Sequence, residues 1–171
     1  MEPNGYPRVT EILHRAGLVD TTWYTEEGRW RGSALHRAAQ LLDEHDLDWA
    51  SVPPEVLPRL RQYQRFLDEV KPEILAIEET VTNGLLRYVG HLDRRVIIGG
   101  REGILDLKAP SRAAWQGVQL AMYAGTFREP MARWSLHLSD HLWNLIEHKG
   151  RLDWDVAKAA ITLAAWKEAH G

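Results

Sequence analysis

The chain has 171 residues, a mass of 19.6 kDa and a net charge of −3, from 21 basic and 24 acidic side chains. This length suits one domain with a full hydrophobic core, so we expect a single domain over residues 1–171. The sequence contains no cysteine, which excludes disulfides, cysteine zinc sites and iron–sulfur clusters. A slightly acidic chain can bind nucleic acid only through a local basic patch.

The hydropathy pattern argues against membrane insertion and secretion. The sequence contains no run of about 18 apolar residues, the minimum for a spanning helix. The N-terminal string MEPNGYPRVTEIL lacks the basic and then apolar profile of a secretory signal. We therefore predict no membrane partner and a cytoplasmic location.

Helices are predicted in five segments, most of them marked by apolar residues that recur at intervals of three and four. They cover residues 10–16, 30–43, 55–70 and 112–127, and a last segment from Asp153 or Asp155 to about 169. Thr10 is the expected N-cap of the first helix, which ends near Gly17. Residues 18–30 are predicted as a loop with two exposed aromatic side chains, Trp23 and Tyr24.

Strands are predicted where the period changes to two or where short apolar runs lie between turns. They cover residues 73–81, 85–98, 101–108, 131–138 and 142–147. Asn83-Gly84 and Gly99-Gly100 are turn signals. Helices, a three-stranded meander, a helix, two strands and a final helix predict an α/β domain, with a mixed central sheet flanked by helices.

The Gly99-Gly100 turn also predicts which side chains meet. A two-residue loop fixes the register of a hairpin, so Asp93 should lie directly opposite Asp106, with Cβ atoms about 5 Å apart. Lys108 is two residues beyond Asp106 and shares its face of the sheet. The sequence therefore predicts two carboxylates and one ammonium group in one patch.

Two opposed carboxylates repel each other unless a cation lies between them. Oxygen ligands suit Mg²⁺ or Mn²⁺, which would take further ligands from water and a phosphate. Lys108 could then orient or deprotonate an attacking water, or stabilise charge on the phosphate. The alternative is that Asp93, Asp106 and Lys108 form a solvated charge cluster without a ligand.

Five short motifs follow one another in a recognisable order. They are GSALH (32–36), IEETV (77–81), GHLDR (90–94), ILDLK (104–108) and QLAMY (119–123). Together they resemble the PD-(D/E)XK nuclease superfamily, in the RecB-like branch that includes CRISPR adaptation nucleases and many phage exonucleases. The resemblance spans residue 8 to about 124. It implies a restriction-endonuclease-like core and a metal-dependent DNA nuclease, which we expect to be an exonuclease.

The resemblance also implies a role for each matching position. His36, Asp93, Asp106 and the carbonyl of Leu107 would hold Mg²⁺ or Mn²⁺, with Lys108 as the catalytic lysine. For His36 the alternative is a histidine that serves only the core.

Three further residues of these motifs have expected roles. Gln119 and Tyr123 lie four apart on one helical face and would orient Lys108 or the substrate phosphate; ordinary packing is their alternative. Glu78 or Glu79 could be an auxiliary acid, and the family pattern ending at Val81 points to Glu78. The alternative is that this residue is a solvent-exposed glutamate without a role in the site.

The chain departs from the family pattern in three places. His91 stands where the family often has Thr or Ser, Ala109-Pro110 follows Lys108, and the cluster-binding cysteines of many relatives are missing. The last departure favours a phage-type or stand-alone nuclease over the CRISPR adaptation subgroup.

The expected partner is DNA, at single- or double-stranded ends, and a homo-oligomer is possible because relatives include ring-shaped assemblies. Arginines on a predicted helix and around the motifs would supply a local DNA track, or else a solvated face balanced by acids: Arg29, Arg31, Arg59, Arg61, Arg65, Arg87, Arg94, Arg95 and Arg112. One of four aromatic residues near the motifs could stack on a frayed terminal base: Trp23, Tyr24, Trp30 or Trp115. For the tryptophans the alternative is that they fill the core and a few surface pockets. The competing functions are a non-catalytic DNA-binding or assembly module and a structure-specific or RNA-directed nuclease.

Overall fold

The structure is a computed structural model that describes residues 5–20 and 25–171. The helices are α1 (Val9–Ala16), α2 (Glu26–Asp43), α3 (Leu57–Val70), α4 (Trp115–Ala124) and α5 (Asp153–His170), with a single 3-10 turn at Trp49–Ser51. The strands are β1 (Glu73–Asn83), β2 (Tyr88–Ile98), β3 (Arg101–Lys108), β4 (Ala132–Leu138) and β5 (Trp143–Glu147). The predicted exposed aromatics Trp23 and Tyr24 lie outside the described residues.

The five strands form one sheet in the order β1-β2-β3-β4-β5. Only the pair of β3 and β4 is parallel; β1 with β2, β2 with β3 and β4 with β5 are antiparallel. Helix α4 connects the parallel pair, as such crossovers require. The predicted fold class, a mixed α/β domain with helices around the sheet, is confirmed.

Two helical layers cover the sheet. Residues of α1, α4 and α5 pack with Ile104 in one buried cluster, and residues of α2 and α3 pack with Leu105 and Leu107 in another. Because neighbouring residues of a strand point to opposite faces, Ile104 and Leu105 place the two clusters on opposite sides of β3. Side chains from α2 and α4 can therefore meet only near the ends of the strands.

The hairpin of β2 and β3 has the predicted register. Gly99 and Gly100 adopt φ values of 58° and 75°, which a two-residue hairpin turn requires. Ile98 pairs with Arg101, and the described ladder runs to the pair of Arg94 and Leu105. Asp93 and Asp106 follow immediately beyond the last described pair.

Several predicted element ends are displaced by local capping. Helix α1 begins with Val9 after an N-cap at Arg8, so the expected cap at Thr10 is wrong. Helix α2 begins at Glu26, four residues earlier than predicted, because the Thr25 hydroxyl accepts a hydrogen bond from the Gly28 amide at 3.0 Å. Gly17 ends α1 in the left-handed conformation, as predicted.

A short hydrogen-bond chain links β4 to the loop after β3. His137 Nδ1 faces the Ala109 carbonyl at 3.0 Å and must donate to it. In the neutral imidazole, Nε2 then accepts a hydrogen bond from the Ser135 hydroxyl at 3.0 Å. The Ser135 oxygen in turn accepts a hydrogen bond from Nε2 of His148 at 2.8 Å. His137 must be neutral for every link of this chain to be satisfied, because its Nε2 accepts a hydrogen bond.

Among residues 5–20 and 25–171, no helix is both long enough and apolar enough to cross a membrane.

The two imidazoles of this chain predict acid sensitivity. Burial lowers the pKa of His137 and of His148 below the ordinary 6.5, and nearby cations such as Lys108 act in the same direction. A depressed folded-state pKa contributes stability that is complete above 6.5 and is lost as the pH falls. We expect the contribution of these two groups to the free energy of unfolding to decrease between pH 7 and pH 5, measured by urea denaturation.

The matched variants separate this contribution from other titrations. His148→Gln should flatten the acidic decline, whereas the same change at the exposed His170 should leave the wild-type slope. Equal slopes in His148→Gln and the wild type would contradict the lowered pKa of His148.

Candidate metal centre

The site lies where the ladder of β2 and β3 ends, between the two helical layers. Asp93 Oδ2 accepts a hydrogen bond from the backbone amide of Leu107 at 2.7 Å. Asp93 Oδ1 lies 3.4 Å from Nδ1 of His36, which α2 brings down onto the sheet. The side chain of Leu107 is buried in the core beneath α2. His36 thus lies beside the carboxylate of Asp93, which is the position that a shared metal ligand would need.

Three side chains converge with a spacing that suits one divalent cation. Ligand atoms of His36, Glu78 and Asp93 all lie within 4.8 Å of one another. Opposite ligands of an ion such as Mg²⁺ are separated by roughly 4 Å, from bonds of about 2.1 Å. The two carboxylates suit Mg²⁺ or Mn²⁺, whereas the imidazole is a ligand more typical of transition metals than of Mg²⁺.

Glu78 enters this cluster through an unusual backbone conformation. Its φ is 50°, and it lies between the pairs of Ile77 with Arg94 and Glu79 with Leu92. A non-glycine residue in a sparsely populated region costs on the order of 1–3 kcal/mol, and such residues cluster at functional sites. Glu79 is directed elsewhere, since its carboxylate lies 2.9 Å from Arg95. The geometry therefore favours Glu78 over Glu79 as the auxiliary acid.

Lys108 is held by a second group of side chains. Its Nζ lies 2.6 Å from Asp106 Oδ2 and donates to Gln119 Oε1 at 2.8 Å. Gln119 Nε2 in turn donates to the Tyr123 hydroxyl at 3.0 Å. A Cβ on Gly90 would lie 2.7 Å from the Tyr123 ring, so only glycine admits this ring. The structure places Gln119 and Tyr123 where they orient Lys108, as the sequence predicts.

Charge and burial together perturb the acids and the histidine. The negative charge of Asp93 raises the pKa of His36 to about 9. Burial opposes ionisation of Asp93, but His36 and Lys108 outweigh it and lower the pKa of Asp93. Burial raises the pKa of Asp106 to about 6 against the pull of Lys108, and burial followed by Asp93 raises that of Glu78. The site thus gathers more carboxylate charge than its surroundings stabilise.

Arg94 supports the site from beneath and is fully buried. Its Nε donates to Asp43 Oδ2 at 2.5 Å, and its Nη1 donates to the Asp93 carbonyl at 2.6 Å and to Glu78 Oε1 at 3.3 Å. Tyr63 also donates to Asp43, at 2.9 Å. The expectation that Arg94 belongs to a DNA track or a solvated face is wrong, because its guanidinium holds Glu78 and Asp93 in place.

Sequence reasoning missed Asp43 and Tyr63. They lie on α2 and α3, and only the fold brings them to Arg94, so no local pattern marks them. The nearest signal is the charge of Arg94 beside the motif aspartate, on a strand whose neighbours Leu92 and Val96 are apolar.

Other arginines of the predicted track are engaged with acids or aromatic rings. The contacts are Arg31 with Glu27, Arg59 with Asp140, Arg65 with Glu69, Arg95 with Glu79 and Glu102, and Arg61 over the Trp49 ring. For these residues the structure favours the balanced, solvated face that was the alternative to a DNA track.

Comparisons with known proteins leave the function open. No protein-family model matches the chain, and no curated protein matches it. Among solved structures, the chain is similar to one described as the crystal structure of SSO0001, with 13% identity and a TM-score of 0.48. That alignment covers 98% of this chain and 78% of the other. A likeness at this level carries no argument about function.

The buried Arg94 yields a stability prediction. Arg94→Met leaves the carboxylate of Asp43 buried without its cation, which costs about 3–5 kcal/mol of unfolding free energy. Arg94→Met combined with Asp43→Asn removes both charges and should recover part of this loss. Urea denaturation of both single variants and the double variant gives the coupling. Additive losses would contradict the direct pairing of these two groups.

Proposed function

We propose that this protein is a metal-dependent nuclease that cleaves DNA at its ends and acts as an exonuclease in the cytoplasm. The observation that supports the proposal is that a possible metal-binding cluster lies next to a buried ion pair of a carboxylate and a lysine. The cluster of His36, Glu78 and Asp93 adjoins the ion pair of Asp106 and Lys108, because His36 and Lys108 line the same cavity. The motif resemblance supplies DNA as the substrate and the exonuclease mode.

The residues present fit a divalent cation. His36, Glu78 and Asp93 would hold Mg²⁺ or Mn²⁺. The pKa values of Asp106 and Glu78 are raised by burial and by the charge of Asp93, and a bound cation would oppose both effects. When bound, the cation supplies Lewis-acid activation of the phosphodiester and neutralises charge. Asp106 completes the acidic lining of the site and holds Lys108.

Lys108 performs the electrostatic part of the reaction. Its Nζ lies 2.6 Å from the Asp106 carboxylate, and its positive charge would stabilise charge that grows on the phosphate. Gln119 and Tyr123 fix its position from α4, so little reorganisation accompanies the reaction. His36 and Asp93 orient each other across the cluster.

The direct test compares end-labelled linear DNA with a closed circle, in Mg²⁺, in Mn²⁺ and in EDTA. Shortening of the linear DNA from its ends in either metal, with an intact circle and no reaction in EDTA, supports the proposal. An absence of cleavage of any DNA would favour a non-catalytic module, and nicking of the circle would favour an endonuclease.

Metal binding should stabilise the folded protein through the three clustered ligands. At a tenfold excess over Kd, Mn²⁺ should add about 1.4 kcal/mol and raise Tm by roughly 3–6 °C. The shift should shrink sharply in Glu78→Gln and in Asp93→Asn, measured by differential scanning fluorimetry. Glu79→Gln is the matched control and should keep the wild-type shift. Equal shifts in all the variants would place the metal elsewhere.

Lys108 should be needed for cleavage and not for metal binding. Lys108→Met removes the charge but keeps much of the length, so we expect the rate to fall by on the order of 100-fold, as for loss of one electrostatic stabiliser. The Mn²⁺-induced Tm shift should survive. Cleavage by Lys108→Met at the wild-type rate would remove Lys108 from the reaction.

A further inference from the structure

Two cavities adjoin α2 on either side of His36. The first, the Glu78 cavity, has a volume of about 490 Å³ and is lined by residues including Ser33, Arg37, Gln40 and Glu78. The second, the Trp115 cavity, has a volume of about 520 Å³ and is lined by residues including Arg29, Lys108, Ala109 and Trp115. Both cavities share Gly32 and His36, so they meet at the metal centre.

Gly32 lines both cavities, and we call the space beside it the passage between them. A Cβ at this position would meet no atom within 4 Å, although the residue lies inside a helix. Glycine lowers helix stability by roughly 1 kcal/mol relative to alanine, and no contact of Gly32 accounts for that cost. The missing side chain instead leaves the backbone of α2 accessible along the passage.

Trp115 gives the second cavity an aromatic wall. The ring is half-buried, packs against the core beneath α4 and also borders the cavity. Nζ of Lys108 lies 5.2 Å from the ring centroid and 2.6 Å from Asp106. The ring therefore lies one side chain away from the catalytic carboxylates, and Arg29 adds a second basic side chain to the lining.

We infer that the Trp115 cavity binds the base of an unpaired nucleotide adjacent to the scissile phosphate, which makes single-stranded DNA the substrate of the site. This inference rests on the proposed nuclease function, because it places the phosphate at the metal centre. An aromatic ring beside cationic side chains is the combination that binds single strands, through base stacking and backbone attraction. A base that is paired and stacked within a duplex must first leave the stack to enter such a pocket.

The test uses a fluorescein-labelled single-stranded oligonucleotide with Ca²⁺, and a series in which one abasic site is moved along the strand. For the wild type, one abasic position should weaken binding by roughly 5- to 150-fold, the scale of one stacked base. Trp115→Ala should weaken binding of the intact strand by a similar factor and lose its response to that abasic position. Trp115→Phe, which retains a stacking face, should recover most of the affinity.

Two further variants distinguish a binding role from a structural one. Gly32→Leu fills the passage, so it should weaken oligonucleotide binding at least tenfold while Tm is unchanged or higher. Trp166→Ala removes an exposed tryptophan that stacks on His170 of α5, far along the chain from the site, and should bind as the wild type does.

The outcomes separate this inference from the proposed function. If the wild type cleaves DNA with Mn²⁺ but Trp115→Ala binds and cleaves single strands normally, the inference is overturned and the nuclease proposal stands. The inference is also overturned if Trp115→Ala and the abasic site each weaken binding by the same factor whether or not the other change is present. If the wild type neither binds nor cleaves any DNA, both proposals fail.

Discussion

The architecture depends on holding three carboxylates close together at one end of a sheet. Glu78, Asp93 and Asp106 repel one another, and each is offset by a cationic group from a different part of the fold. His36 comes from α2, Lys108 from the end of β3, and Arg94 from the opposite side of β2. These cations do not fully offset burial and the charge of Asp93, since the pKa values of Asp106 and Glu78 remain raised. An arrangement that costs folding energy in this way is expected where a ligand supplies the missing charge.

The two helical layers explain how the residues reach this point. The sheet separates α2 from α4, so His36 and Gln119 approach from opposite sides and meet only beyond the paired part of β2 and β3. Gly90 admits Tyr123 on one side, and Gly32 leaves space beside His36 on the other. Gly90 of the GHLDR motif and Gly32 of the GSALH motif thus both leave space for another group.

The sequence predicted the parts of the site that depend on local geometry. The turn at Gly99 set the hairpin register, and the spacing of Gln119 and Tyr123 set a common helical face; both are confirmed. Position 94 was not predictable, because its burial depends on Asp43 and Tyr63, which are distant in sequence. The motif resemblance pointed to Glu78 and not to Glu79, but strand periodicity did not, because it does not encode the φ of 50° at Glu78.

The φ of 50° at Glu78 sets two requirements against each other. The residue that would be most stable in this conformation is not the residue that places a carboxylate in the site. Asparagine, aspartate and glycine adopt the left-handed region more readily than glutamate, so they would relax the strand. None of them carries a carboxylate as far as glutamate does, and β-branched residues would increase the strain. A search for thermostable variants would therefore select changes at residue 78 that dismantle the site. In natural relatives, a glutamate kept at this position despite its strain would mark a chain still selected for its chemistry.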